Sequence, residues 1–115
     1  MRIRPGRVAN AIRREISNII QEDLKDPRIG FTTITKVEVT PDLRNAKVYY
    51  TVFGEGKKRK STEIALKNAT GFIKGLIGDR LRLKFTPEII FKVDKSHEYR
   101  EKIDKILERI HKEKK

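Results

Sequence analysis

The spacing of apolar residues changes once near Gly30, and this change constrains the fold more than any other feature of the chain. Before it, from about Arg7 to Leu24, apolar residues recur at the spacing of one face of an α-helix. After it, from Phe31 to Val39, residues alternate in a β-branched-rich pattern that is typical of a strand with one mainly polar face. The sequence therefore predicts a helix followed by a strand.

Two more strands and a final helix are predicted further along the chain. In the first strand, strict alternation places Ile34 on the polar face. Residues 40–42 (Thr-Pro-Asp) favour a tight turn into a second strand, Ala46–Val52, so the two strands form an antiparallel hairpin. A third strand is expected over Phe85–Val93, and Ser96 caps a helix with a narrow apolar stripe.

The segment between the second and third strands gives mixed signals. Residues 54–60 are basic and flexible in composition, which predicts an exposed loop, and Ser61 or Thr62 then caps a long helical segment. Glycines recur in this segment, and each interior glycine costs about 1 kcal/mol relative to alanine. A kinked or broken helix pair is therefore predicted instead of one straight helix. The glycines are Gly71, Gly75 and Gly78.

The order of these elements predicts an α+β fold. A helical crossover between the second and third strands allows them to lie parallel, which gives a three-stranded mixed sheet with helices on one face. A chain of 115 residues is expected to form one domain with a substantial core. This topology is that of the bacterial-type (type II) KH domain.

The charge of the chain points to a polyanionic partner. Lys and Arg number 28 against 16 acidic residues, a net charge of +12, which attracts nucleic acid or acidic membrane surfaces. The sequence lacks cysteine, so disulfides, thiolate metal sites and thiol nucleophiles are excluded. Neither His97 nor His111 has a ligand-like neighbour, and no P-loop, nucleophile elbow or metal spacing is present. We therefore expect a cytoplasmic protein that is not an enzyme and needs no cofactor or metal.

Several sequence blocks, in order and at matching spacing, resemble the ribosome-binding factor A family. The resemblance spans roughly residues 4–96, and the C-terminal helix fits it only loosely. The blocks are Arg7-Val8-Ala9, residues 24–31 (LKDPRIGF), residues 33–39 (TITKVEV), Asp42-Leu43-Arg44, Ala46-Lys47-Val48, residues 69–74 (ATGFIK), Arg80-Leu81-Arg82-Leu83 and residues 86–91 (TPEIIF).

The resemblance implies a KH-like RNA-binding domain over residues 1–96 and a separate charged helix and tail over residues 97–115. It implies a monomeric assembly factor that binds the small (30S) ribosomal subunit and assists late maturation of 16S rRNA, with a role in growth in the cold. An assembly GTPase that releases the factor is a further implied partner, although none of the matching blocks indicates that contact.

The resemblance also indicates where RNA would bind. KH domains hold nucleic acid against a Gly-x-x-Gly turn, which this family replaces with a shorter kink, here residues 69–71. The shorter kink should weaken a four-nucleotide clamp, so a broad basic face that contacts RNA shape and phosphate is expected. The literal Gly-x-x-Gly at residues 75–78 contains Leu76 and Ile77, which we interpret as core. The expected RNA-binding residues are Arg4, Arg7, Arg14, Lys67, Ala69, Thr70, Gly71, Lys74, Arg80, Arg82 and Lys84.

Two other functions remain open at this point. The chain could be a general KH-type binder of single-stranded nucleic acid, or a protein-interaction module whose stripe from Tyr99 to Ile110 docks a partner helix. Any single basic residue in the expected site could also be an ordinary solvated surface charge.

Overall fold

The computed structural model describes residues 5–24, 26–54 and 56–113. The predicted α+β class and the order of elements are confirmed. The first helix passes directly into a π-helical turn, Ile19–Asp23. The remaining elements are α1 (Pro5–Asn18), β1 (Thr32–Val39), β2 (Asn45–Val52), α2 (Gly56–Leu81), β3 (Glu88–Val93) and α3 (Ser96–Glu113).

The three strands form one mixed sheet in the order β1-β2-β3. β1 and β2 are antiparallel, and β2 and β3 are parallel because α2 crosses between them. Ala46 at the start of β2 lies between Val39 of β1 and Ile89 of β3. The predicted hairpin, parallel pair and helical crossover are therefore confirmed.

A β-bulge in β1 corrects the predicted alternation. Ile34 pairs with Tyr50 and Lys36 pairs with Tyr49, so Thr35 is an extra residue that has no partner of its own in β2. The bulge shifts the alternation by one position, and Ile34 is buried with Val37 and Val39 packed against the same core. The prediction that Ile34 lies on the polar face was wrong.

The core lies between one face of the sheet and the helices α1 and α2. Alternate residues of β2 face it, which buries Ala46, Val48 and Tyr50. The ring of Tyr50 meets the ring of Phe91 edge to face, with 6.1 Å between centroids. The helices contribute fully buried side chains at Ile12, Ile16, Ile19, Leu66, Ile73 and Ile77.

Helix α2 is continuous from Gly56 to Leu81, which corrects two predictions. Residues 56–60 form its first turns and are not a loop, so Ser61 and Thr62 lie inside the helix and do not cap it. The glycines do not break it into a helix pair. A helix in a protein is held mainly by packing of its apolar face, and here that face is buried along the sheet.

The C-terminal helix α3 lies outside the core. Every residue from 100 to 112 is exposed, including the predicted apolar stripe at Ile103, Ile106, Leu107 and Ile110. Tyr99, which the predicted stripe includes, lies outside the residues whose side chains are described. Within residues 5–24, 26–54 and 56–113, no helix is both long and apolar enough to cross a membrane.

Candidate nucleic-acid interface

One flank of α2 carries the centre of the expected site. Lys67, Gly71 and Lys74 are spaced four and three residues apart, so they lie on one side of the helix. Lys67 and Gly71 are exposed, whereas Lys74 is partly covered and forms an ion pair with Glu88 at the start of β3. The flank is therefore a solvent-facing surface with one exposed lysine and one lysine already paired to the sheet.

The Ala69-Thr70-Gly71 segment is ordinary helix and not a turn. Ala69 packs against the core, and the Thr70 hydroxyl donates to the carbonyl oxygens of Leu66 and Lys67 at 3.0 and 2.9 Å. These bonds satisfy the hydroxyl within the helix itself. The segment can therefore offer RNA its backbone surface at Gly71, but it does not form the kink that the sequence predicted.

The glycines of α2 differ in what surrounds them. A Cβ atom added at Gly71 or Gly75 would meet no atom within 4 Å, so packing does not explain either glycine. A Cβ at Gly78 would lie 2.5 Å from the Thr86 hydroxyl oxygen, so close packing explains that one. At Gly71 the missing side chain instead leaves the helix backbone open to close approach from solvent.

The Gly-x-x-Gly at residues 75–78 belongs to the core, as predicted. Ile77 is fully buried, and Leu76 is partly buried against the same cluster. Their side chains cannot face a nucleic acid without leaving the sheet. The interpretation of this motif as structural is therefore confirmed.

Arg80 lies apart from the lysine flank and is paired within the protein. It stands about a third of a turn around the helix from Lys74. Its guanidinium donates to the Asp23 carboxylate at 2.8 Å and lies 3.5 Å from the Glu15 carboxylate. The hydrogen bond with Asp23 raises the pKa of Arg80. Through its two acidic partners, Arg80 holds the end of α2 against α1 and the π-helical turn.

Arg82 and Lys84 follow the end of α2 and are exposed. Arg82 has a positive φ of 50°, a left-handed conformation that commonly ends a helix, and Lys84 places its ammonium 5.7 Å from the ring centre of Phe85. Leu81 and Leu83 are partly buried against the core. Leu81 and Leu83 therefore anchor the segment and Arg82 points outward, as predicted. The prediction was wrong for Arg80, because its guanidinium is paired with Asp23 and Glu15.

Two more of the expected RNA-binding residues, Arg7 and Arg14, lie on α1. Arg7 and Arg14 are exposed and lie seven positions apart, so they face the same way along the helix. Arg4 lies outside the described residues. The structure thus brings Lys67, Gly71 and Lys74 onto one flank, assigns Arg80 to an internal ion pair and leaves Arg7 and Arg14 on another helix.

Two exposed aromatic residues were missed by the sequence reasoning. Phe31 and Phe53 are 74% and 82% exposed, at the open end of the β1–β2 hairpin. The alternation placed Phe31 in the first predicted strand, whereas Phe53 lies just beyond the second, which was predicted to end at Val52. The two residues lie opposite each other only because the bulge at Thr35 shifts the register by one position, so the sequence held no signal for this pairing.

The comparisons with known proteins agree with this architecture. A family model described as ribosome-binding factor A matches residues 4–107. The chain is 51% identical to ribosome-binding factor A of Geobacter sulfurreducens, over 96% of this chain and 94% of that protein. The chain belongs to the ribosome-binding factor A family. The family match over residues 4–107 extends beyond the resemblance over residues 4–96 and includes part of α3, which was expected to fit the family only loosely.

Solved structures of ribosome-binding factor A share the fold. A Thermotoga maritima protein of this family, solved by solution NMR, is 35% identical and superposes with a TM-score of 0.70, over 79% of this chain and 87% of that one. A homology model of Thermus thermophilus ribosome-binding factor A, fitted into a cryo-EM map of a 30S complex, is 23% identical with a TM-score of 0.60, over 80% and 92% of the two chains. The second likeness concerns the fold alone.

Proposed function

We propose that this protein is a ribosome assembly factor that binds the small (30S) subunit and assists late maturation of 16S rRNA. Membership of the ribosome-binding factor A family supports this, as does the placement of the Thermus thermophilus relative in a 30S complex. The net charge of +12 suits a polyanionic partner. The protein acts as a monomer in the cytoplasm and catalyses no reaction.

The RNA-binding surface in this proposal centres on the flank of α2. The observation that carries it is Gly71, an exposed helix position where a side chain would meet nothing, between Lys67 and Lys74. A phosphate can approach the backbone there while ammonium groups on either side neutralise its charge. Arg82 and Lys84 extend this surface, and Arg4, Arg7 and Arg14 supply a second basic group. Residues 1–96 form the RNA-binding unit, and residues 97–115 form an appended helix and tail.

The mechanism is differential binding. The protein shifts a conformational equilibrium of the rRNA only as far as it prefers one conformer, and it needs no energy source for this. Because α2 is continuous, the preference comes from the shape of a helix flank and its charges, and not from a bent helix pair. Lys74 can exchange its ion pair with Glu88 for a phosphate, since both groups lie at the surface.

Co-sedimentation through sucrose gradients tests the proposal. The full-length protein is mixed with free small subunits, free large subunits and joined ribosomes at moderate and high salt. We expect it to travel with free small subunits alone and to be released at high salt, because phosphate contacts weaken as salt rises. Equal association with all three particles, or with none, would contradict the proposed function.

A matched pair of variants tests the surface. Lys67→Gln with Lys74→Gln removes two charges from the α2 flank. Lys47→Gln with Lys92→Gln removes the same charge from the sheet face opposite α1 and α2. We expect only the first pair to lose small-subunit binding. Equal loss in both pairs would mean that total charge, and not the α2 flank, determines binding.

The exposed stripe of α3 favours a second role as a protein-docking helix. Ile103, Ile106, Leu107 and Ile110 all face solvent. Deleting residues 97–115 should leave the unfolding transition of the core unchanged, because α3 buries none of its described side chains. If small-subunit association is also unchanged, the stripe serves another partner; if it is lost, the helix contributes to the ribosomal contact.

A further inference from the structure

Phe31 and Phe53 form a cross-strand pair at the open end of the β1–β2 hairpin. The Phe53 amide donates to the Phe31 carbonyl at 2.9 Å, one position beyond the pairing of Thr32 with Val52. Residues directly opposite each other in an antiparallel pair point to the same face, with their Cβ atoms about 5 Å apart. The two phenylalanines therefore project from the same face of neighbouring strands, and both expose their rings to solvent on that face.

This surface lies on the side of the sheet opposite α1 and α2, and Glu101 of α3 borders it. Val52 faces the core side with Tyr50, so alternation turns Phe53 to the opposite face. Two small polar residues, Thr33 and Thr51, follow on the same face. Burial in the core does not explain either phenylalanine, since the two rank among the most exposed large apolar residues described for this chain.

An open groove of about 940 Å³ borders the aromatic pair. Its lining includes Phe31, Phe53 and Lys60, the last from the start of α2. The exposed run Lys57-Lys58-Arg59-Lys60 forms the early turns of that helix, so a dense positive charge lies next to the rings. Carboxylates at Glu63, Asp94 and Glu101 also line the groove, which disfavours a phosphate inside it.

We propose that Phe31 and Phe53 form a stacking platform for unpaired RNA bases, with the phosphates of the same strand over the lysines at the start of α2. Neutral bases occupy the groove, where the carboxylates would repel phosphate, and every base offers a π-face to an exposed ring. The platform is a second RNA contact, separate from the α2 flank. That the RNA belongs to the small subunit rests on the proposed function, whereas the stacking chemistry does not depend on it.

A single fluorophore tests stacking directly. The chain contains no tryptophan, so Phe53→Trp in the full-length protein introduces the only one, at an exposed site. The probe is an octaadenylate RNA, and the control is an abasic sugar-phosphate strand of equal length and charge. We expect octaadenylate to quench the tryptophan emission and the abasic strand to leave it unchanged, because stacking requires a base.

The outcomes are distinct. The platform would be overturned if both strands quenched the emission equally. It would also be overturned if anisotropy showed that a labelled octaadenylate binds without quenching, or if octaadenylate did not bind at low salt. An apolar protein ligand at this site predicts the last of these results. If small-subunit co-sedimentation fails while tryptophan quenching is observed, the proposed function is wrong and the stacking site stands.

A matched set of variants extends the test to the ribosome. Phe31→Leu with Phe53→Leu keeps apolar bulk but removes the rings, and both positions are exposed, so the core is untouched. We expect small-subunit binding roughly tenfold weaker for each base that loses its stack. Ile90→Leu, at another exposed apolar residue, on the outer face of β3, is the control and should bind as the unmodified protein does. The platform would be overturned if neither variant lost binding, or if both lost it equally.

Discussion

Thr62 shows how one side chain fixes the start of the sheet. It is fully buried inside α2, and its hydroxyl oxygen accepts a hydrogen bond from the Gly30 amide at 2.9 Å. The same hydroxyl lies 3.3 Å from the Arg28 carbonyl, to which it donates. The side chain therefore joins α2 to the loop that leads into β1, and a signal that resembles a helix cap in the sequence is a tertiary contact.

Thr62→Val tests this contact. Valine fills nearly the same space but leaves the Gly30 amide without its acceptor, so we expect the free energy of unfolding to fall by about 1–3 kcal/mol. Thr62→Ser keeps the hydroxyl, so its free energy of unfolding should fall clearly less than that of Thr62→Val. Urea denaturation followed by circular dichroism measures both, and equal stability of the valine and serine variants would show that the hydrogen bond contributes nothing.

Gly71 gives a prediction in which stability and binding move in opposite directions. A methyl group at this exposed helix position meets no neighbour, so Gly71→Ala should raise the free energy of unfolding by up to about 1 kcal/mol. The same methyl covers the backbone and should weaken small-subunit binding. Denaturation and gradient co-sedimentation of one preparation measure both quantities.

Gly78→Ala is the internal comparison for stability. Its methyl would lie 2.5 Å from the Thr86 hydroxyl oxygen, so this variant should gain less stability than Gly71→Ala or lose some. If the Gly71→Ala variant is more stable and still binds small subunits as well as the unmodified protein does, Gly71 is not part of the interface.

At the scale of elements, short-range patterns in the sequence were enough for the order of helices and strands and for the hairpin. The glycines of α2 were misleading because propensity is local, whereas Leu66, Ile73 and Ile77 bind the helix to the sheet along its length. The bulge at Thr35 was equally hidden, since only the pairing with β2 reveals an extra residue.

The site was predicted less well than the fold for the same reason. Lys67, Gly71 and Lys74 share a flank because helical spacing is a local property. The partner of Arg80 is Asp23, 57 residues earlier in the chain, so its use in an internal ion pair could not be read from the pattern of charges. Whether a basic residue is available for RNA depends on such long-range contacts.

The junction between β3 and α3 predicts a pH dependence. The Asp94 carboxylate accepts hydrogen bonds from the Ser96 hydroxyl, from the Thr35 hydroxyl at 2.5 Å and from the Ser96 amide at 2.8 Å. These bonds, chiefly that of the Ser96 hydroxyl, lower the pKa of Asp94 from 3.8 to about 2. The charged form is favoured by folding, so the stabilisation is complete above about pH 4 and is lost as the pH falls towards 2.

Hydrogen exchange at the Ser96 amide measures this effect. Because Thr35 lies in β1 and Asp94 follows β3, the carboxylate ties the start of α3 across the sheet. After correction for intrinsic exchange rates, protection of the amide should fall between pH 4 and pH 2, and Asp94→Ala, which removes the acceptor, should show low protection that does not change over this range. Protection that is the same in both proteins would show that the carboxylate does not hold the junction.

At the scale of the whole molecule, the α2 flank and the aromatic pair make two RNA contacts of different physical kinds. Phosphate contacts release counterions, so the logarithm of the binding constant falls with the logarithm of salt by about 1 per phosphate. Stacking involves neutral rings and adds affinity without changing this slope. The two contacts can therefore be separated by measuring small-subunit affinity at several salt concentrations.

We expect the Lys67→Gln and Lys74→Gln pair to reduce the salt slope by about 2, because two phosphate contacts are lost. The Phe31→Leu and Phe53→Leu pair should weaken binding at every salt concentration and leave the slope unchanged, because the lysines at the start of α2, which contact the phosphates of the same strand, are kept. Since the two sites share no described contact, the combined variant should show free-energy losses that add within about 0.5 kcal/mol. A flatter slope in the phenylalanine variant would mean that those rings position a phosphate contact, and strong non-additivity would mean that the two surfaces bind as one.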